Sequence, residues 1–234
     1  MSVVNAEKFM AELDREIHAH PFLDSAFVKR LSNAGGVSRA QARKFAILYY
    51  PHIFRTRLYQ ANALGISPDE RIQFVLAAIL HDEYGNGDFT RTHPAVYRKF
   101  LKALDVPESQ WRIEPALPEL VLYIDAMMRL TQSGDWIAAV AAVGIASEWP
   151  ISKLYSDFLV GLRTIPGIKE DDLELFVSHI GIDEEHSRLM REALLPHAEN
   201  SDGQARIRAG VKANLDARHI LLQGLHREVF ETGP

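Results

Sequence analysis

The residue types best suited to metal chemistry occur together in one short segment, SHIGIDEEH, near residue 180. At about 100° per residue, His179, Asp183 and His186 fall within roughly 60° of one another on a helix. Two imidazoles and a carboxylate on one face are typical ligands of a first-row metal such as iron, manganese or zinc. The alternative is a solvated acidic face, because Glu184 and Glu185 are neighbours.

Glu148 is a second candidate, because it follows an apolar alanine-rich segment that begins at Ala138. A carboxylate carried by such a helix is expected to be partly buried, and it then needs a cation, a hydrogen-bond partner or a metal. The alternative is that Glu148, which lies just before Pro150, extends from the helix end into water.

The third candidate is the stretch HDEYGNGD, which begins at His81 and directly follows an apolar helical segment. Its glycines allow the backbone to unwind, so that Glu83 and His93 could face the same point. Taken alone, this stretch is explained more simply as a glycine-broken helix end that carries polar caps.

Helical periodicity dominates the elements that must position these residues, and strand-like alternation is hard to find. The predicted helices cover residues 6–18, 22–31, 38–63 with a bend at Pro51, a segment capped by Ser67 with Pro68 in its first turn, a segment from Pro94 through Leu104, 120–130, 135–149, 151–162, 171–195 and 204–230. Short connections without a Gly-, Pro- or Ser-rich linker predict one all-α bundle, a single domain over residues 1–234.

Composition limits the classes of function. A chain that is 47% hydrophobic and 24% charged can bury a sizeable core. The net charge of −5, with dispersed basic residues, argues against nucleic-acid or anionic-lipid partners. The absence of cysteine excludes disulfides, thiolate metal sites and cysteine nucleophiles. No apolar run is long enough to cross a bilayer and no secretory segment is evident, so we expect a cytoplasmic protein without a membrane partner.

Taken in chain order, the DEYGNGD stretch, His93, Glu148 and the HxxxDxxH series resemble the heme-oxygenase-like diiron oxidases, also described as iron-containing redox enzymes. The similarity extends from about the HPF segment at residues 20–22 to the LDAR segment at residues 215–218. It implies an all-α, heme-oxygenase-like bundle of seven to eight main helices with a central cavity. The lack of cysteine separates this chain from the thiaminase-II-like branch, whose nucleophile is a cysteine.

The resemblance also implies a ligand set for two Fe(II) ions per chain, with manganese left open by the ligand types. Carried over by position, one iron would be bound by Glu83, His93 and His179, and the other by Glu148, Asp183 and His186. His81 is an alternative to His93 as a ligand. The resemblance makes Asp82, Tyr84 and Trp149 candidates for supporting the ligands or lining the cavity.

The activity implied by the resemblance is that of a non-heme iron-dependent oxidoreductase with O₂ as co-substrate. Its substrate would be a small amino-acid-like or acyl molecule that undergoes N-hydroxylation or oxidative C–C cleavage, typically in a biosynthetic pathway. A homodimer is left open as the assembly state. A metal-free helical binding protein of the same fold is one alternative.

A second alternative is an HD-type metal-dependent phosphohydrolase, in which His52, the pair His81-Asp82 and either Asp125 or Asp135 would bind a divalent metal. The EYG sequence that follows the pair departs from the usual apolar-Gly-Lys continuation of that family.

The last helix carries a further group of polar residues. Asp216, His219 and His226 share one face and are interspersed with Arg218 and Arg227. We interpret this group as a charged surface seam beside the apolar stripe of the helix.

Overall fold

Ten α-helices and no strand form the part of the chain that this computed structural model describes, which is the backbone of residues 3–232 and the side chains of residues 5–181 and 185–232. The helices are α1 Val3–His18, α2 Ala26–Leu31, α3 Arg39–Ile66, α4 Glu70–Glu83, α5 His93–Ala103, α6 Pro118–Thr131, α7 Trp136–Gly144, α8 Ile151–Leu162, α9 Glu174–Leu194 and α10 Ser201–His226. All ten helical segments predicted from periodicity are present. The number exceeds the seven to eight main helices implied by the resemblance, since the short α2 and α7 are separate helices.

Capping residues set the beginnings of α3 and α4. Ser38 forms a capping box with Gln41 at the start of α3, which continues as helix through Pro51. The predicted start of α4 was wrong by two residues, because the carboxylate of Asp69, rather than Ser67, accepts the first free backbone N–H groups. Pro68 therefore precedes the helix instead of lying in its first turn.

The predicted helix over residues 135–149 was too long, because α7 ends at Gly144 and a turn follows through Pro150. The carbonyl of Ala142, which the next helical turn would use, accepts hydrogen bonds from Asn214 Nδ2 at 2.7 Å and Ser147 Oγ at 3.2 Å. The N–H of Ala146 donates to Ala141 instead. Competition for this carbonyl ends the helix and turns the following residues toward the interior.

The core lies where α7 packs against α10, and it continues into an aromatic cluster. A Cβ added at Gly210 of α10 would lie 2.0 Å from the carbonyl oxygen of Ala138, so the two backbones approach directly at this glycine. The rings of Phe27, Phe45 and Phe158 pack edge-on or tilted within 6 Å of one another. No helix in the described part of the chain combines the length and the apolar character that a bilayer crossing requires.

Candidate metal centre

A tight reversal of the chain brings Glu83 and His93 together. Glu83 is the last residue of α4, and His93 is the first residue of α5. Gly85, Asn86 and Gly87 between them have φ values of 80°, 55° and 88°, a left-handed run that glycine and asparagine tolerate best. The chain therefore doubles back, and Glu83 Oε2 lies 2.7 Å from His93 Nδ1. The two side chains face the same point, as the glycine pattern predicts.

His179 of α9 completes this cluster. Its ring centroid lies 4.5 Å from that of His93. One ligand atom each from Glu83, His93 and His179 lie within 4.8 Å of one another, which is the spacing of groups that can share one ion. Nδ1 of His179 lies 2.6 Å from the carbonyl oxygen of Leu175. Because a carbonyl only accepts, Nδ1 carries the proton and Nε2 keeps a lone pair for a metal.

A second group forms around His186, about two helical turns further along α9 than His179. His186 Nε2 lies 2.8 Å from Asp82 Oδ2, and its Nδ1 lies 3.7 Å from Glu148 Oε2. Glu148 is only 6% exposed, and its Oε1 accepts a hydrogen bond of 3.2 Å from Gln60. The burial results from the turn that follows α7, so Glu148 does not extend into water.

The other residues predicted to bind or support the metal do not all lie in these two groups. The side chain of Asp183 lies outside the described residues, so its part in the second group stays a prediction. His81 is exposed, and His93 rather than His81 therefore lies beside Glu83. Tyr84 is 47% exposed, packs against the guanidinium of Arg57 and is not among the residues that line the inner cavity, so the expectation that it lines the cavity was wrong.

The electrostatics of the cluster follow from burial and from these pairings. Burial alone would raise the pKa of Glu83, but the adjacent His93 outweighs it and the pKa is lowered. Burial would likewise lower the pKa of His93, but Glu83 raises it. The pKa of His186 is raised by Glu148 and Asp82 in spite of burial. Burial and the neighbouring His93 lower the pKa of His179 to about 4, so this ring is neutral at physiological pH.

An inner cavity of about 40 Å³ lies against this cluster. Its lining includes Glu83, His93, His179 and Glu148 together with two residues not expected here, His52 and Arg218. The interpretation of Arg218 as part of a surface seam was wrong, because its side chain is 5% exposed and lines this cavity. The signal that sequence reasoning missed is its register, since Arg218 continues the apolar stripe of α10.

A wider groove of about 330 Å³ lies at the outer edge of the same site, because Glu148 lines both spaces. Trp149 lines this groove, and its Nε1 donates a hydrogen bond of 3.3 Å to the carbonyl oxygen of Ser187. An inner cavity and an outer groove therefore adjoin at Glu148, and the groove is lined in part by Ser187 and Arg188 of α9.

The residues of the phosphohydrolase alternative are not brought together. His52 is buried in the inner cavity, whereas His81 and Asp125 are exposed. Asp135 caps α7 and forms a salt bridge of 2.7 Å with Arg206. These side chains do not form a common metal site.

With this geometry established, comparison with known proteins defines the class. The sequence profile of the family described as iron-containing redox enzyme matches residues 43–219. The chain therefore belongs to the iron-containing redox enzyme family. This membership confirms the family expected from the ligand series, and it supports an oxidative enzyme that uses iron.

The individual proteins that resemble this chain share less than a quarter of its sequence. The chain is 24% identical over 229 residues to a 4-aminobenzoate synthase of Nitrosomonas europaea. This alignment covers 93% of this chain and 91% of the relative. Among solved structures, a CADD-like protein of unknown function from Nostoc punctiforme superposes with a TM-score of 0.77 at 15% identity, covering 97% of each chain. A TenA homologue from Pseudomonas syringae gives a TM-score of 0.71 at 15% identity, again covering 97% of each.

A third solved structure, a domain with a heme oxygenase-like fold from Shewanella denitrificans, gives a TM-score of 0.69 at 15% identity and covers 97% of this chain and 94% of that one. At such identities the structural likeness establishes the fold alone. The predicted all-α, heme-oxygenase-like architecture is thereby confirmed.

Proposed function

We propose that this protein is a non-heme diiron oxidase that uses O₂ to oxidise a small-molecule substrate. The observation that carries the proposal is the cluster of buried Glu83 with half-buried His93 and His179, whose ligand atoms lie within 4.8 Å of one another. Mixed imidazole and carboxylate donors suit Fe(II), although manganese accepts the same ligand types. The donor set in the cavity therefore fits the metal that the family name states.

The proposed ligands divide into two groups. Glu83, His93 and His179 would hold one iron, and the second would be held by Glu148, His186 and Asp183. Iron bound there would supply the redox chemistry that activates O₂, which amino-acid side chains alone do not provide.

The chain itself contributes orientation and a dry environment. The Leu175 carbonyl fixes the ring of His179 by accepting from Nδ1 at 2.6 Å, so Nε2 faces the ligand cluster. Asp82 has the corresponding role for His186, whose Nε2 it contacts at 2.8 Å. The small volume of the inner cavity excludes bulk water, which strengthens electrostatic interactions with a substrate and limits side reactions.

The proposed reactions are N-hydroxylation or oxidative C–C cleavage of an amino-acid-like or acyl substrate. The name of the Nitrosomonas relative adds one specific candidate product, 4-aminobenzoate. Like the proposed amino-acid-like and acyl substrates, 4-aminobenzoate is a small organic acid. Because the relative is only 24% identical, this product is tested directly below.

The test is anaerobic reconstitution with Fe(II), followed by measurement of iron per chain and of O₂ consumption. We expect about two irons per chain in the wild-type protein. Glu83→Gln and Glu148→Gln should each weaken iron binding by at least about tenfold, because each removes a charged ligand atom. Glu185→Gln is the matched control, since Glu185 is exposed on α9 and pairs with Arg188. It should bind iron as the wild type does.

The outcomes separate the alternatives. Fewer than one iron per chain in the wild type would leave a metal-free binding protein as the better description. Equal iron in the wild type and both ligand variants would refute the proposed ligands. Mass spectrometry of aerobic reactions should detect hydroxylated or shortened products, or 4-aminobenzoate. Phosphate-ester turnover without O₂ would contradict the proposed class.

A further inference from the structure

Arg218 is a buried cation that is not paired with any carboxylate among the described side chains. It lies in the middle of α10, and its side chain is 5% exposed. Nη2 is 3.5 Å from Ser147 Oγ and the guanidinium carbon is 5.9 Å from the ring centroid of Phe22, whereas Nε and Nη1 have no hydrogen-bond partner. No described carboxylate forms a salt bridge with this guanidinium. A folded protein rarely leaves such a group unpaired, since an uncompensated buried charge is strongly destabilising.

Two polar groups near Arg218, the hydroxyl of Tyr49 and the imidazole of His52, are neutral. Burial raises the pKa of Tyr49 to about 12 even though Arg218 lowers it, so this hydroxyl stays protonated. Burial and the charge of Arg218 lower the pKa of His52 to about 3, so this imidazole is uncharged. Arginine itself remains charged in proteins. The positive charge is therefore offset by none of these neighbours.

The position of Arg218 indicates which kind of ligand could pair with its guanidinium. Arg218 and His52 line the inner cavity together with the metal-ligand candidates Glu83, His93 and His179. His52 Nδ1 is also buried without a hydrogen-bond partner. Two orphaned polar side chains, one of them a guanidinium with free donors, therefore face a space that an anionic group can enter.

We propose that Arg218 binds the carboxylate of the substrate, so that the enzyme acts on small organic acids. The free donors of a guanidinium match the two oxygens of a carboxylate in a bidentate arrangement. That the bound acid is the substrate rests on the proposed function, but the binding itself does not require metal.

The sizes of the two spaces fix how such an acid would lie. The inner cavity of 40 Å³ holds roughly three water molecules or one carboxylate group, but no larger body. The groove of 330 Å³ adjoins it at Glu148 and can accommodate the rest of the molecule. An acid anchored at Arg218 and extending toward the groove would pass beside the metal-ligand candidates, which would place the carbons or nitrogen near its anchored end within reach of the oxidising chemistry.

The experiment uses metal-free protein and acid–amide pairs of increasing size. Calorimetric titration and thermal melting are carried out with acetate, butyrate, benzoate and octanoate, with the corresponding primary amides, and with chloride. We expect at least one acid to bind and to raise the melting temperature, while its amide and chloride do not. Arg218→Met should weaken binding of that acid by at least about tenfold, because hydrogen bonds to a charged group are lost.

The matched control is Arg208→Met on the same helix. Arg208 is half-exposed and forms a salt bridge of 3.0 Å with Glu16 away from the inner cavity, so acid binding should be unchanged. A purely structural role for Arg218 makes a different prediction for stability. Under our proposal the metal-free Arg218→Met protein melts at or above the wild-type temperature, since an unpaired buried charge has been removed.

Several results would overturn the proposal. These are the absence of acid binding in the wild type, equal binding of acids and their amides, equal stabilisation by chloride, and wild-type acid affinity in Arg218→Met. Should Arg218→Met fail to fold, Arg218→Lys retains the charge and decides the question. It must bind the acid more weakly than the wild type, because lysine lacks the bidentate fork. Iron content, measured separately, tests the proposed function without reference to these titrations.

Discussion

Replacing Gly85 with alanine should disrupt the metal centre without touching any proposed ligand. Gly85 has φ of 80°, a conformation that costs a residue with a Cβ about 1–2 kcal/mol. The added Cβ would also lie 2.3 Å from the carbonyl oxygen of Asp88 and 2.8 Å from the backbone nitrogen of Thr92. These are backbone atoms, so the segment must move by about 1 Å to reach an ordinary contact distance.

That movement carries His93 with it, because Thr92 directly precedes His93 at the start of α5. Metal sites tolerate deviations of only about 0.2 Å in ligand distance, so a displacement of this size should lower iron affinity by roughly tenfold or more. We expect the free energy of unfolding to fall by about 2–4 kcal/mol, combining the backbone strain with overpacking. Iron per chain at limiting free Fe(II) and urea unfolding of the metal-free protein measure the two effects.

Gly87→Ala is the matched control within the same turn. Gly87 has φ of 88°, but a Cβ added there would have no atom within 4 Å. This variant should show only the backbone strain, about 1–2 kcal/mol, and should bind iron with wild-type affinity. Wild-type iron affinity in Gly85→Ala, or an equal loss in both variants, would refute the argument that this turn positions His93.

Two further predictions concern the helices that carry the site. Asp69→Ala should destabilise the protein by about 1 kcal/mol at neutral pH, whereas Asp69→Asn should retain most of the cap. Burial would raise the pKa of Asp69, but the N–H of Ile72 and the nearby His197 outweigh burial and lower the pKa. The contribution of Asp69 to the free energy of unfolding is therefore present above the unfolded-state pKa of about 3.9. It is lost as the pH falls through the lower folded-state pKa. Urea unfolding of wild type and variants between pH 7 and pH 3 tests this dependence. Gly210→Ala should cost about 3 kcal/mol because its Cβ would lie 2.0 Å from the Ala138 carbonyl oxygen, while Gly65→Ala, with no atom within 4 Å, should be neutral or stabilising.

Sequence periodicity was sufficient for the helices because the local rules act within a few residues. The Ser38 capping box and the boundaries of α8 follow directly from the sequence pattern. The end of α7 could not be predicted in this way. It depends on Asn214, 72 residues away, whose side chain occupies the Ala142 carbonyl. A hydrogen bond across such a separation has no signature in the local pattern.

The meeting of Glu83 with His93 was predictable for a specific reason. Two glycines separated by an asparagine in a polar turn permit left-handed backbone, and only a reversal of the chain brings residues ten positions apart to 2.7 Å. The approach of Glu148 to His186 has no comparable local cause. It requires the turn after α7 and the packing of α9, and therefore the whole bundle.

Arg218 shows how a general rule identifies a site residue when it is applied at every position. The apolar stripe of α10 runs through Val211, Leu215, Leu222 and Leu225, and a residue between them at position 218 shares that face. A polar side chain on an apolar stripe has to be buried, and a buried charge requires a partner. The same reasoning singled out Glu148 in its alanine-rich segment. It failed for Arg218 because the flanking Asp216 and His219 made the region resemble a solvated seam. Register, rather than the composition of neighbouring residues, is therefore the better criterion for deciding which charges in a helical bundle face its interior.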